Sequence, residues 1–192
     1  MLSRAQFEPA CKAFARRHPE WLWVEGHHPG YGYLTRTTTH FANTSTEVLS
    51  DELEWEEDDA ATGETSSPVV MVHEYIVYSV AFNVPAFYFT VHDTNGSVLS
   101  LAEIMRTSFF KYLPEGAEAT SFALTAPSNS FPLLSQGEHP TLGTACWYLH
   151  PCESSRAVEE FMEEEREKLE GEERMGRWME VWLMLVGSVV RL

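Results

Sequence analysis

The chain has 192 residues, 44 % of them hydrophobic and 12 % aromatic, which is ample for one filled core and too apolar for a disordered tail. Against 13 Lys and Arg stand 29 Asp and Glu, a formal charge of -16 that repels phosphate backbones and argues against nucleic acid as the main partner. Cys11, Cys146 and Cys152 show no framework spacing, the first residues lack the apolar run of a signal peptide, and no apolar stretch reaches the roughly 18 residues of a membrane span, so a reduced, cytoplasmic protein without a transmembrane segment is expected.

Residues Ser3 to Arg17 set Phe7, Cys11 and Phe14 at helical spacing, with Ser3 and Gln6 as a capping box and Pro9 expected to kink or delay the helix. His18-Pro19 ends it. Trp21 to Val24 and Gly30 to Thr37 read as the two strands of a hairpin. Residues 44–67 are then rich in acid and free of basic side chains. So little apolar surface offsets the entropy of ordering that a mobile acidic loop is expected there, within a single domain spanning 1–192. A docking strip for a basic partner is the alternative reading of that segment.

Val69 to Phe82 and Ala86 to His92 carry the strongest β signal and predict two central strands, with Pro85 interrupting them and Asp93-Thr94-Asn95-Gly96 closing the second. Ser100 and Glu103 form a second capping box, and Leu101, Ile104, Met105, Ser108, Phe109 and Tyr112 predict a helix continuing from it. Residues 114–140 show no sustained period and predict a long irregular link, a kind of segment that often carries function. Thr144 to Leu149 predicts a short strand delivering His150-Pro151-Cys152. Ser154 or Ser155 caps a helix from about Ala157 to Leu169 with a solvated glutamate face, and Trp178, Val181, Trp182, Leu185 and Val189 stripe a packed last helix over Trp178 to Val190. An α+β protein follows, an antiparallel meander packed with helices.

The chemistry concentrates around Cys152. Pro151 fixes an extended bend just past a strand, which presents the following thiol at the sheet's edge. Three readings stand side by side. Cys152 is a nucleophile whose thioester is a good acyl donor; or it joins His139, Cys146 and His150 around a metal; or it is a buried small hydrophobe, the usual fate of a free cysteine. Spacing weighs against zinc, because no C-x-x-C pair is present and Cys146 and His150 share a strand face that Cys152 lies beyond. Residue types alone do not choose between the other two.

His139-Pro140, followed ten residues later by His150-Pro151-Cys152, resembles the active-site segment of the autophagy E2-like conjugating enzymes, a divergent branch of the ubiquitin-conjugating fold. Tyr75 to Phe89, Gln136 to Pro140 and Trp182 to Val190 are similar to the same family, and the likeness covers about Val69 to Val190. The chain is compact and resembles the protein-conjugating branch more than the longer lipid-conjugating one with its large acidic insertion. The resemblance implies a divergent E2-like fold and no cofactor. It also implies that Cys152 receives the C-terminal glycine of the ubiquitin-like modifier autophagy-related protein 12 from the E1-like autophagy-related protein 7, and passes it to a lysine of autophagy-related protein 5. The alternatives are the lipid-conjugating relative and a non-catalytic E2-like scaffold. Ordinary ubiquitin-conjugating enzymes carry a His-Pro-Asn motif ahead of the cysteine, and none is found here. Asn129 in the irregular link and the hydroxyl of Tyr78 are the candidates for assisting the developing oxyanion, set against plain readings as a turn residue and a half-buried strand residue, with His150 as a candidate to orient the loop.

Overall fold

A computed structural model describes residues 2–42, 68–127, 131–151, 154–164 and 169–192. The acidic segment, Asn129 and Cys152 lie outside the described residues. Helix α1 (Arg4–Arg17) opens on the expected Ser3–Gln6 capping box and runs through Pro9 from its first turn, so the proline does not delay it. β1 (Leu22–Val24) and β2 (Tyr33–Phe41) form the expected hairpin with Tyr33 opposite Val24. A side chain on Gly26 would meet the backbone of Tyr31 at 2.4 Å, which is why the connecting loop carries a glycine there.

β3 (Val69–Ser79) and β4 (Val84–His92) are long antiparallel neighbours at the middle of an eight-stranded sheet. Pro85 does not interrupt them. It sits inside β4 opposite Tyr78, and the turn is Val80 to Asn83. The second position of the strand tolerates it because β4 pairs with its other neighbour only at Tyr88 and Phe89, so the missing N–H breaks no ladder on that side. The helix after Ser100 has its capping box but is a single turn, α2 (Leu101–Ile104). Thr107 Oγ1 donates to the Ile104 carbonyl at 2.7 Å and ends it, while Phe109 is drawn into the core against Phe89 and Phe110.

The predicted irregular link contains three strands, β5 (Glu118–Ala119), β6 (Ala123–Thr125) and β7 (Leu134–Glu138), each too short to show a period. With β8 (Ala145–Leu149) they complete the sheet in the order β1-β2-β3-β4-β8-β7-β6-β5, antiparallel throughout. Helix α3 (Ser154–Glu164) begins three residues before the predicted start, and α4 (Gly171–Val189) begins seven residues before it.

Alternation along the strands sorts the side chains into two layers. One face carries Leu34, Val72, Ile76, Tyr78, Phe87, Phe89, Trp147 and Leu149 into the main core, which α1, α3 and α4 close with Phe7, Phe14, Val158, Met162, Trp178, Met179 and Trp182. Burying a side chain of this size stabilises by about 1.5–3 kcal/mol, so this layer supplies most of the driving force. The other face holds a smaller cluster of Tyr33, Val77, Ala86, Tyr88 and Cys146. Within the helix-covered face Arg36 donates to fully buried Glu74 at 2.7 Å, and Thr38 donates to the same carboxylate. Burial raises the Glu74 pKa against the lowering effect of Arg36. Nothing in the spacing of these residues announced the pair.

Candidate active site

β8 leads into the His-Pro-Cys segment. Its Tyr88↔Tyr148 pairing with antiparallel β4 directs its C-terminal end toward the β3–β4 turn, and the ring of Phe82 in that turn meets His150 edge-on at 4.9 Å. On another side Phe131 stacks on His150 at 5.9 Å, with Tyr148 further off at 6.3 Å. The His150 N–H donates to the Leu133 carbonyl at 3.0 Å, fixing the strand end to the segment that leads into β7. Burial by these rings lowers the His150 pKa, so the imidazole is neutral near pH 7.

Pro151 is buried, and its carbonyl accepts from the N–H of Ser154 at 3.3 Å and from its Oγ at 2.9 Å. The chain on the two sides of Cys152 and Glu153 is thereby tied together at the first residue of α3. Helix α3 turns Val158 and Met162 inward and leaves Glu159, Glu160 and Glu163 exposed, the solvated face its sequence predicts.

His139 stands elsewhere. It opens the β7–β8 turn, at the far end of a five-residue strand that spans about 16 Å, so His139 and His150 share no centre and are not brought together as metal ligands. Its imidazole is 1 % exposed, edge-on to Tyr33 and Tyr75 at 4.9 Å and near Tyr88 at 5.9 Å. Nδ1 accepts from the N–H groups of Thr141 and Leu142, which leaves the proton on Nε2, buried and without a hydrogen-bond partner among the described residues. Burial pulls its pKa down to about 4. His139 is thus a neutral pin that locks the β7–β8 turn onto the sheet, and Thr141 adds a bond from its Oγ1 to the Tyr31 carbonyl at 2.7 Å.

Of the other sequence candidates, Tyr78 is buried on the helix-covered face, 5.7 Å from the ring of Phe7, near the β3–β4 turn. Cys146 is buried as its strand position predicts, and so is Cys11; burial raises both thiol pKa values, which keeps them protonated. Sequence reasoning missed Phe82 and Phe131 as neighbours of His150. Aromatics 68 and 19 positions away along the chain give no local signal of meeting there.

An antiparallel sheet with helices on one face and a His-Pro-Cys segment at a strand–helix junction is the plan of an E2-like conjugating enzyme, and that is the class of this chain. The model of the active-site domain of autophagocytosis associated proteins matches residues 6–192, and the chain belongs to that family. The match reaches well upstream of Val69, where the likeness legible in the residues began. The chain is 24 % identical to the Ubiquitin-like-conjugating enzyme ATG10 of Homo sapiens over 97 % of its length and 87 % of that protein. To the protein of the same name in Dictyostelium discoideum it is 25 % identical over 61 % of its length and 49 % of that protein. No helix among the described residues is long and apolar enough to cross a membrane.

Proposed function

We propose that Cys152 carries a ubiquitin-like modifier as a thioester on its C-terminal glycine and passes it to a lysine of an acceptor protein, all within one domain in the cytoplasm. The specific chain of partners is autophagy-related protein 7 as the E1-like donor, autophagy-related protein 12 as the modifier and autophagy-related protein 5 as the acceptor. The observation that carries this reading is the His150-Pro151-Cys152 segment at the end of β8, in a chain whose relatives are named ubiquitin-like-conjugating enzymes.

Physical chemistry supports both steps. Thioester exchange exchanges one C–S bond for another and is near energy-neutral, so the protein has mainly to expose a thiolate and align two sulfurs. The buried Cys11 and Cys146 do not compete for the acyl group. Aminolysis asks more, since the lysine must lose a proton and the oxyanion needs donors. With a chain charge of -16 and exposed Glu159 and Glu160 near the start of α3, the field opposes that oxyanion. A docked acceptor that holds its lysine against the thioester supplies the missing effective molarity, with Tyr78 or Asn129 assisting.

The test is to incubate the protein with the E1-like enzyme, ATP and the modifier. An adduct cleaved by reductant is expected; none forming under conditions that charge the E1-like enzyme supports the non-catalytic scaffold instead.

A further inference from the structure

The end of α1, the strand β2 and the second half of α4 enclose an open cavity of about 690 Å³, a volume within the range of small-molecule sites. Its apolar walls are Phe14, Trp21, Leu183 and Met184, and none of its residues belongs to the His-Pro-Cys segment or to the rings around His150. Two cations line it with donors to spare. Arg36 gives its Nε to the Glu74 carboxylate at 2.7 Å and lays its guanidinium over the Trp21 ring at 4.5 Å. Its Nη2 is buried and has no hydrogen-bond partner among the described residues, on a side chain only 9 % exposed. A buried charged donor left without an acceptor is costly, and an acceptor brought to it relieves that cost. Lys111 Nζ donates to the Gly187 carbonyl at 2.6 Å and meets no carboxylate among the described residues, although an ammonium has three protons to give. The two carboxylates that also line the cavity have neighbours of their own. Glu180 lies 3.3 Å from Arg17 and 3.3 Å from Arg177, and Glu20 lies 3.5 Å from His18.

We infer that this cavity binds a small carboxylic acid with an apolar body, its carboxylate taken by Arg36 and Lys111 and its body lying against Phe14, Trp21, Leu183 and Met184. The inference goes beyond the proposed thioester chemistry and does not depend on it. Spare N–H groups on two cations call for a group that only accepts and carries the opposite charge, which a carboxylate is and a hydroxyl or amide is not. The apolar body follows from the walls. Met184 is 64 % exposed on α4, and a ligand lying along it removes that surface from water. A free acid fits better than an acidic side chain of another protein. Arg36 is nine-tenths buried, and a glutamate on a folded surface would bring its neighbours against half-exposed Glu20 and a chain of charge -16. The same overall charge favours cationic ligands, so a preference for an acid has to come from the donors inside the cavity.

The experiment uses the full chain and three straight-chain probes of equal length, octanoate, octanol and octylamine, titrated below their micelle concentrations at neutral pH and followed by ligand-observed NMR. Octanoate should bind about tenfold tighter than octanol, the worth of one charge-assisted hydrogen bond, and tighter than octylamine as well. Arg36→Lys keeps a charge beside Glu74 and removes the Nη2 donor, and Lys111→Met changes an exposed position. Each should weaken octanoate about tenfold and leave octanol unchanged. Should Arg36→Lys fail to fold, Lys111→Met decides alone. Equal binding of octanoate and octanol would overturn the inference and leave a merely apolar groove. Tightest binding of octylamine would overturn it by showing that Glu20 and Glu180 set the charge preference. Octanoate binding that survives Lys111→Met undiminished, or no binding of any probe to the wild type, would also overturn it. A short apolar peptide with one glutamate that displaces octanoate while binding more tightly would do so in favour of a protein segment as occupant.

Discussion

His139 is where one side chain's chemistry has the clearest consequence. Its imidazole is neutral because burial disfavours the charge, and Nδ1 is committed to two backbone donors. An unfolded histidine titrates near 6.5 and the folded one near 4, so between those values the unfolded chain binds more protons. The stability that His139 contributes is fully present above about pH 6.5 and is lost as the pH falls toward 4, about 2 kcal/mol of it by pH 5. The lowered pKa values of His40, His73 and His150 act with the same sign, while Glu74, raised by burial, opposes them at the acid end. Denaturant unfolding at pH 7 and pH 5 should show a steep loss for the wild type and a shallower one for His139→Asn, whatever the variant's stability at pH 7. The same loss in both would mean that His139 is not the residue that titrates.

At the scale of elements, the β3–β4 hairpin positions Phe82, and its turn ends on Asn83 with φ +55°. A side chain other than glycine or asparagine costs roughly 1–2 kcal/mol in that conformation. Asn83→Ala is therefore expected to lower stability by about 1 kcal/mol and Asn83→Gly to leave it nearly unchanged, in chemical denaturation; the reverse order would show that the turn relaxes out of this conformation. The long elements were legible in the sequence because their patterns are long. The Ser3 box with Phe7, Cys11 and Phe14 marks α1, and an eleven-residue run rich in Val, Ile and Tyr marks β3. β5, β6 and β7 were not, because two to five residues carry no period, and they are placed by pairing in series, β7 on β8, β6 on β7 and β5 on β6. The helix expected beyond Ile104 failed for a tertiary reason: burying Phe109 outweighs a few more helical turns. The His-Pro-Cys segment was readable as a resemblance, whereas its ring neighbours belong to folding and not to any local pattern.

For the whole molecule, the two chain ends that flank the acidic segment are joined to each other by the sheet. Phe41 pairs with Val69, and the Ala42 N–H donates to the Pro68 carbonyl at 2.8 Å, so the β2–β3 ladder is complete without it. Replacing residues 47–64 by a short turn should leave the melting temperature unchanged or raise it, since reducing the closed loop about two- to threefold saves roughly 0.6–1 kcal/mol of closure entropy. A marked fall in melting temperature would show that the segment is part of the fold.

The central claim is that one thiol of three carries the modifier. Two variants decide it, one with Cys11 and Cys146 both changed to Ala and one with Cys152 changed to Ser, each charged with the E1-like enzyme, ATP and modifier and read by intact mass before and after reductant. The first should form a single reductant-sensitive adduct, and the second a slower adduct that resists reductant, as an ester does. A reductant-sensitive adduct on the Cys152→Ser protein, or none on the double variant while it remains folded, would contradict the account.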